Sequence, residues 1–201
     1  MADNSIKEAQ EIFAKAKADQ SRDIRFALVE KAVTEGSGDV FPNHSYYDAL
    51  VLSWAMISHA QNSFFMLIGD GVENFVGQME QEFREMLMRF NKNGGEAKIA
   101  IVSSASRHSP LFDKFSSEFK NVFSYGFLRP KPGRESAIRH FTVADGKMYR
   151  YEESHAPIID DNLPGSADVI KAEVSFDNEY FVERLKNQFD DYWKYHQKPV
   201  Q

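Results

Sequence analysis

The side chains best suited to chemistry lie in one short segment, from Ile138 to Arg150. It reads Ile-Arg-His-Phe-Thr-Val-Ala-Asp-Gly-Lys-Met-Tyr-Arg and holds one imidazole, one carboxylate and three cations. An imidazole whose second nitrogen is held by an acceptor can attack a phosphodiester, and neighbouring cations can stabilise the charge on the phosphate oxygens. His140 is therefore the candidate reactive group. The alternative interpretation is a partly buried strand histidine satisfied by hydrogen bonds.

The same segment predicts a β-hairpin. Asp145-Gly146 is a strong turn signal, and apolar and polar residues alternate on both sides of it. Successive side chains of a strand point to opposite faces, so His140 and Arg139 cannot both enter one pocket. Lys147 and Arg150 follow the turn and lie across it from His140.

This segment resembles the motif of the phospholipase D-like superfamily. The motif reads His-x-Lys-x4-Asp, usually with Gly after the Asp, and two copies make one site. In its active members the histidine attacks a phosphodiester, the lysine binds phosphate and the aspartate orients a histidine. Aligning Asp145-Gly146 with the motif puts His140 at the lysine position and Ile138 at the nucleophile position. The Gly-Ser pair that usually follows is replaced by Glu152-Glu153.

The resemblance implies a degenerate site. The expected function is a non-catalytic binding or regulatory module with a residual pocket for a phosphorylated small molecule or a nucleic-acid end. It also implies a homodimer, since family members with one motif pair their copies. The candidate catalytic residues are His140 and Asp145, and the candidate ligand-binding residues are Ser104, Arg129, Arg134, Arg139, Lys147 and Arg150.

Two alternatives belong to other functional classes. The first is an active phosphodiesterase or nuclease in which His140 is the nucleophile across a homodimer, with Arg139, Lys147 or an arginine of the 129–134 loop replacing the lysine. The second is a structural protein-interaction domain, with residues 1–35 holding a protein partner.

Charge is unevenly distributed along the chain. The net charge is −6, which argues against a basic nucleic-acid coat. Between Arg107 and Arg150, however, nine basic residues face only four acidic ones, a local balance of +5 that leaves −11 for the rest. This polarity favours an anion-binding face, although a solvated loop surface explains it equally well. Ser104, in a serine-rich loop between a strand and a helix, can offer its hydroxyl to an anion or cap the helix.

The elements around the segment alternate between helix and strand. The pattern predicts helices over residues 4–33, broken near 19–23, then a Gly/Ser linker, so that residues 1–40 form a helical arm and residues 41–201 the α/β domain. The domain is predicted as a mixed sheet sandwiched by helices, phospholipase D-like. Its predicted helices are 45–61, 73–91, 110–120 and 178–196, and its predicted strands are 63–68, 98–102, 122–128, 140–144, 147–151 and 169–176.

Composition excludes several classes of protein. The 201 residues include no cysteine, which removes disulfides, thiolate nucleophiles and iron–sulfur ligation, and the remaining histidines lack metal-ligand spacing. We therefore expect no cofactor and no metal. The apolar stretches are far shorter than the ~20 residues that span a bilayer, and the polar start lacks a signal peptide. We expect a cytoplasmic protein without membrane partners.

Overall fold

A computed structural model describes residues 2–18, 23–69, 71–103, 108–130, 138–153 and 171–195, with side chains from residue 7 onward. These parts form seven helices and seven strands. The helices are α1 Ala2–Ala18, α2 Ile24–Glu35, α3 Tyr46–His59, α4 Val72–Gly77, α5 Glu80–Asn93, α6 Pro110–Glu118 and α7 Glu179–Trp193. The strands are β1 Phe41–Asn43, β2 Ser63–Gly69, β3 Glu96–Val102, β4 Phe123–Leu128, β5 Phe141–Ala144, β6 Met148–Glu152 and β7 Ala172–Ser175.

The strands form one mixed sheet. Its order is β1-β7-β6-β5-β2-β3-β4. β2, β3 and β4 run parallel, as expected for strands joined by helical crossovers. β5 pairs antiparallel with β2, and β6, β7 and β1 continue antiparallel outward. The carboxyl ends of β2, β3, β4 and β6 therefore meet the amino end of β5 at one edge of the sheet.

Two hydrophobic layers cover the two faces of this sheet. On one face, helices α1 to α6 bury a large aromatic core that includes Phe64, Phe83 and Phe115. On the other face, α7 is the helix of the described residues that packs on the sheet, through Val182, Leu185 and Phe189. The central strands are buried on both sides, which explains their continuous apolar sequence. The prediction of a mixed sheet sandwiched by helices is confirmed.

The predicted hairpin also forms. β5 and β6 pair in the register Ala144 with Met148, and the backbone N–H of Lys147 donates to the carbonyl of Ala144. Asp145 and Gly146 both have positive φ, 52° and 70°. A type I′ hairpin turn requires this left-handed pair, and Asp-Gly is among the sequences that tolerate it best.

Two element predictions were wrong. The helix predicted from residue 73 to 91 is two helices, because α4 ends at Gly77 and Met79 leaves the helical region with φ −125°. Glycine is a poor helix former, and Val76 and Met79 on either side of the break are both buried in the core. Residues 41–43, for which the sequence predicts no strand, form β1, because they pair with β7 and extend the sheet.

The N-terminal helices pack onto the α/β part. Phe13 of α1 and Phe26 of α2 are buried in the same hydrophobic cluster as Trp54 of α3. The Phe26 and Trp54 ring centroids are 4.9 Å apart, and Lys17 forms an ion pair with Glu82 of α5 at 2.9 Å. The division of the chain at residue 40 stays a prediction from the sequence.

Candidate functional site

His140, the candidate reactive group, lies at the sheet edge where several strands end. It directly precedes β5, next to Gly69, the last residue of β2, and Glu152, the last residue of β6. His140, Thr142 and Arg150 point to the sheet face that α1 to α6 cover, because Thr142 pairs with Met66 of that core and with Arg150. The hairpin register thus puts an imidazole and a guanidinium on one face.

The His140 ring is hydrogen-bonded to a buried carboxylate. Its Nδ1 lies 3.2 Å from Oε2 of Glu152, and the side chains are 13% and 4% exposed. The Glu152 backbone N–H also donates to the His140 carbonyl at 2.9 Å. Since an ionised carboxylate only accepts hydrogen bonds, Nδ1 carries a proton, and in the neutral ring this leaves the lone pair on Nε2.

Glu152 also binds a second charged side chain. Its Oε1 accepts a hydrogen bond from the guanidinium of Arg150, which is equally buried, with 4% of its side chain exposed. A guanidinium is always protonated, so this contact keeps the carboxylate ionised. In the part of the chain that the structure describes, Nε of Arg150 is a buried donor without a hydrogen-bond partner. We call His140, Glu152 and Arg150 the His140 cluster.

Asp145, predicted as a catalytic residue, lies at the opposite end of β5 from His140. Its carboxylate accepts hydrogen bonds from the backbone N–H groups of Gln61, Asn62 and Ser63 at 2.7, 2.8 and 3.0 Å. It therefore holds the start of β2 against the hairpin turn. The carboxylate that orients an imidazole in this structure is Glu152 instead. Lys147 lies in the same turn as Asp145, away from the cluster.

Arg139 points to the other side of the sheet from His140, as the alternation of strand side chains predicts. Its guanidinium donates to the Tyr151 hydroxyl at 2.6 Å and lies over the Tyr151 ring, 5.5 Å from the ring centroid.

Arg129 is exposed just beyond β4, at the same sheet edge as the His140 cluster. Ser104 and Arg134 lie outside the described residues. Of the predicted site residues, the structure thus brings His140 and Arg150 together.

A further polar network borders α6. The Tyr125 hydroxyl donates to the Asp113 carboxylate, whose other oxygen lies 2.6 Å from Nδ1 of His108. Burial, followed by the contact with Asp113, raises the pKa of Tyr125. The His108 side chain is 65% exposed, and its partner Asp113 lies in the first turn of α6. We therefore assign this polar network a role in the fold around this edge of the sheet. Among the described residues, no group of acidic or histidine side chains has the geometry of a metal site.

The comparisons with known proteins identify the fold. No protein-family model matches the sequence, and no curated protein matches it significantly. Nuc from Salmonella typhimurium, a phospholipase D family member, superposes with a TM-score of 0.54 and 14% identity, covering 79% of this chain and 96% of Nuc. NucT from Helicobacter pylori gives 0.54 and 9%, covering 80% and 99%.

The fold is phospholipase D-like. It is shared with TrmBL2, an archaeal chromatin protein that binds DNA, at a TM-score of 0.59 and 14% identity over 95% of this chain. The chain spans 65% of the TrmBL2 chain. Helices long and apolar enough to cross a membrane are absent from the described residues.

Glu152 is the member of the His140 cluster that sequence reasoning did not assign to the site. The resemblance marked it only as a carboxylate in place of a small residue. The Asp145-Gly146 turn alone did not identify it, because counting outward from a two-residue turn pairs His140 with Tyr151. The observed loop holds three residues, Asp145 to Lys147, and this shift of one position pairs Phe141 with Tyr151 and sets His140 beside Glu152.

Proposed function

We propose that this chain is a non-catalytic, phospholipase D-like binding module that holds a phosphate-bearing ligand at the His140 cluster. The observation that carries the proposal is the buried carboxylate of Glu152, which binds both His140 and Arg150. A phosphodiesterase must place uncompensated cations on a phosphate that gains charge in the transition state. Here the nearest guanidinium is compensated by Glu152, so transition-state stabilisation is weak.

Binding an anion requires less positive charge than catalysis does. Hydrogen-bond donors that can bind an anion remain at the His140 cluster. Arg150 keeps its Nε as a buried donor without a partner among the described residues, and Arg129 is exposed at the same edge. The sequence from residue 107 to 150 is the basic part of an otherwise acidic chain. Ser104 and Arg134 follow β3 and β4 in the sequence, and the carboxyl ends of these two strands lie at this edge, which supports both residues as further ligands.

A nucleic-acid end is a chemically reasonable source of the phosphate. The DNA-binding chromatin protein TrmBL2 shares the fold, and phosphate contacts account for most sequence-independent binding of DNA. A phosphorylated small molecule presents the same group. The two sources differ in salt dependence, because only a polyanion releases several counterions on binding.

The test is ligand binding by calorimetry with pyrophosphate, a nucleoside diphosphate and a short 5′-phosphorylated DNA. We expect binding by the wild-type chain and at least tenfold weaker binding by His140→Gln, with affinity for the DNA falling steeply with salt. His44→Gln is the matched control, because His44 is an exposed histidine before α3, and it should bind like the wild type. If none of these anions binds the wild-type chain, the proposal is wrong.

A second candidate function is supported by the contact between Nδ1 of His140 and Glu152. A carboxylate on Nδ1 makes Nε2 a better nucleophile. In a phosphodiesterase, Nε2 would form a bond to phosphorus as the P–O bond to the leaving alcohol breaks and the alcohol takes a proton. Water would then cleave the phosphohistidine. Because the described cluster holds one imidazole, a second copy in a homodimer would have to supply the proton donor.

This candidate is tested with bis-p-nitrophenyl phosphate and plasmid DNA. Turnover by the wild-type chain that disappears in His140→Ala and falls in Glu152→Gln would replace the binding module with an enzyme. Light scattering on the same sample tests the dimer, whose mass should be twice the 23.0 kDa of one chain. We expect no turnover above that of the His140→Ala variant.

A further inference from the structure

We propose that Gly69 is a positioning residue for the His140 imidazole. Its missing side chain leaves the space in which the ring lies, so that Gly69 and Glu152 together fix the ring with Nδ1 toward the carboxylate. This inference rests on the proposed function, because it concerns how the same imidazole is presented to a phosphate ligand.

The contact between Gly69 and His140 is tight. A Cβ atom built on Gly69 would lie 2.9 Å from Cε1 and 3.2 Å from Nε2 of the ring, but 3.9 Å from Nδ1. The first distance is shorter than real Cβ contacts, and close-packed interiors do not absorb such an overlap without movement. The edge formed by Cε1 and Nε2 therefore faces β2, and any other residue at position 69 would displace the ring.

Backbone conformation does not explain the glycine. Gly69 pairs in parallel register with Val102 at the end of β2, and its φ lies outside the left-handed region, unlike that of Gly71. In such a position an L-residue has no backbone strain, and glycine weakens a strand because it loses more entropy on folding. The preceding residues of β2 are large and apolar. Space for the imidazole is the remaining reason for a glycine here.

The two contacts restrain the ring from opposite sides. Glu152 fixes one nitrogen by a hydrogen bond, and another part of the ring occupies the space beside Gly69 that a Cβ atom would fill. A histidine held in this way has one tautomer and one orientation, with its lone pair on Nε2. A positioned group of this kind binds a ligand without first losing side-chain freedom. Gly69 thus influences the affinity for the ligand without contacting the ligand.

The test compares Gly69→Ala with Gly77→Ala. Gly77 is the matched control, because a Cβ there meets no atom within 4 Å and its φ is not positive. The readout is the pair of ring nitrogen shifts of ¹⁵N-labelled histidine, with the His140 signals assigned from their loss in His140→Ala. In the wild type and in Gly77→Ala we expect the proton on Nδ1. In Gly69→Ala we expect a mixture of tautomers and at least fivefold weaker pyrophosphate binding.

A double-mutant cycle separates positioning from simple damage to β2. If the imidazole is what the new methyl group meets, Gly69→Ala should lower the denaturation midpoint of the wild type and leave that of His140→Ala unchanged. An equal loss in both backgrounds, or an unchanged His140 tautomer in Gly69→Ala, would overturn the inference. Failure of the wild type to bind any anion would instead overturn the proposed function, and the tautomer and the cycle would still decide the role of Gly69.

Discussion

Glu152 is the residue on which the charges of the His140 cluster depend. Its two carboxylate oxygens are divided between His140 and Arg150, and all three side chains are largely removed from water. A buried guanidinium is tolerated only when it is paired, because its desolvation costs several kcal/mol. The same carboxylate that makes the imidazole a better acceptor at Nε2 thus also neutralises the nearest cation. At this scale the cluster combines one feature of a catalyst with one that opposes catalysis.

Replacing Glu152 tests this dependence directly. We expect Glu152→Ala to destabilise the chain by about 3–5 kcal/mol, because it leaves Arg150 buried without its carboxylate. The double variant Arg150→Met/Glu152→Leu should recover most of this loss, since an apolar pair of similar volume needs no desolvation of charge. The measurement is urea denaturation of the three proteins. A double variant as unstable as the single one would show that packing, and not the ion pair, governs the site.

The raised pKa of the buried Tyr149 hydroxyl leads us to expect that the folded chain loses stability at high pH. Burial, followed by its contact with Glu173, raises the pKa of Tyr149 to about 12. Below pH 10 the hydroxyl is neutral in both the folded and unfolded states, so its contribution is fully present. As pH rises from 10 through 12, the unfolded chain ionises first and this contribution is lost.

Burial also raises the pKa of Tyr47 and Tyr125, so the wild type should lose stability steadily above pH 10. Tyr149→Phe should lose roughly 2 kcal/mol less than the wild type between pH 9 and pH 12. Tyr180→Phe, which changes a tyrosine that is 73% exposed, is the control and should follow the wild type. Parallel curves for wild type and Tyr149→Phe would contradict the prediction.

At the scale of elements, the hairpin is held at both ends by carboxylates. Glu152 holds the imidazole at the ligand edge, and Asp145 ties the turn to the loop between α3 and β2 through three backbone N–H groups. The two ends therefore have different tasks. Asp145 positions the strands, and Glu152 at the far end of β6 contacts the candidate reactive group.

Substitutions at Asp145 should affect stability before ligand binding. Asp145→Ala removes all three acceptor contacts and puts alanine at positive φ, so we expect a cost of about 2–4 kcal/mol. Asp145→Asn tolerates the left-handed conformation and keeps one acceptor, and should cost less. Asp39→Ala, in the exposed linker, is the control. Thermal unfolding measures the order, and equal midpoints for the two Asp145 variants would contradict the prediction.

The elements that follow from local sequence were predictable, and those that depend on distant partners were not. The Asp-Gly turn and the start of the helix predicted from residue 45 are local, and both were confirmed, with Ser45 as the N-cap of α3. β1 could not be recognised, because three residues become a strand only through pairing with β7, about 130 positions away along the chain. The break between α4 and α5 was missed because the apolar spacing of residues 73–91 continues across Gly77.

The site shows the same division between near and distant partners. His140 stood out by residue type, and Arg150 followed from the hairpin. Glu152 becomes the partner of His140 because the hairpin loop holds three residues and not two. Gly69 belongs to a strand 71 positions away that pairs with β5 in the folded sheet. Side chains that hold a functional group are chosen by three-dimensional proximity. Their types carry little signal until the sheet order is known.

At the scale of the whole molecule, the sheet separates two cores of unequal size. One contains the aromatic side chains under α1 to α6, and the other contains the face of α7. The His140 cluster faces the larger core, at the edge where β2, β5 and β6 meet. Helices α1 and α2 belong to that larger core, although the Gly-Ser linker after them suggests an appended arm in the sequence.

A substitution of Phe26 can decide whether residues 1–40 fold together with the α/β part or apart from it. This side chain is fully buried between Phe13 and Trp54, with ring centroids 5.8 and 4.9 Å away. We expect Phe26→Ala to lower the stability of the whole chain by about 3–5 kcal/mol in a single transition, because the cavity opens inside the shared core. Leu28→Ala, which changes a residue of the same helix that is 53% exposed, should cost less than about 0.5 kcal/mol. Calorimetry distinguishes the outcomes, since an independent arm would melt in its own transition and leave the main one unchanged in Phe26→Ala.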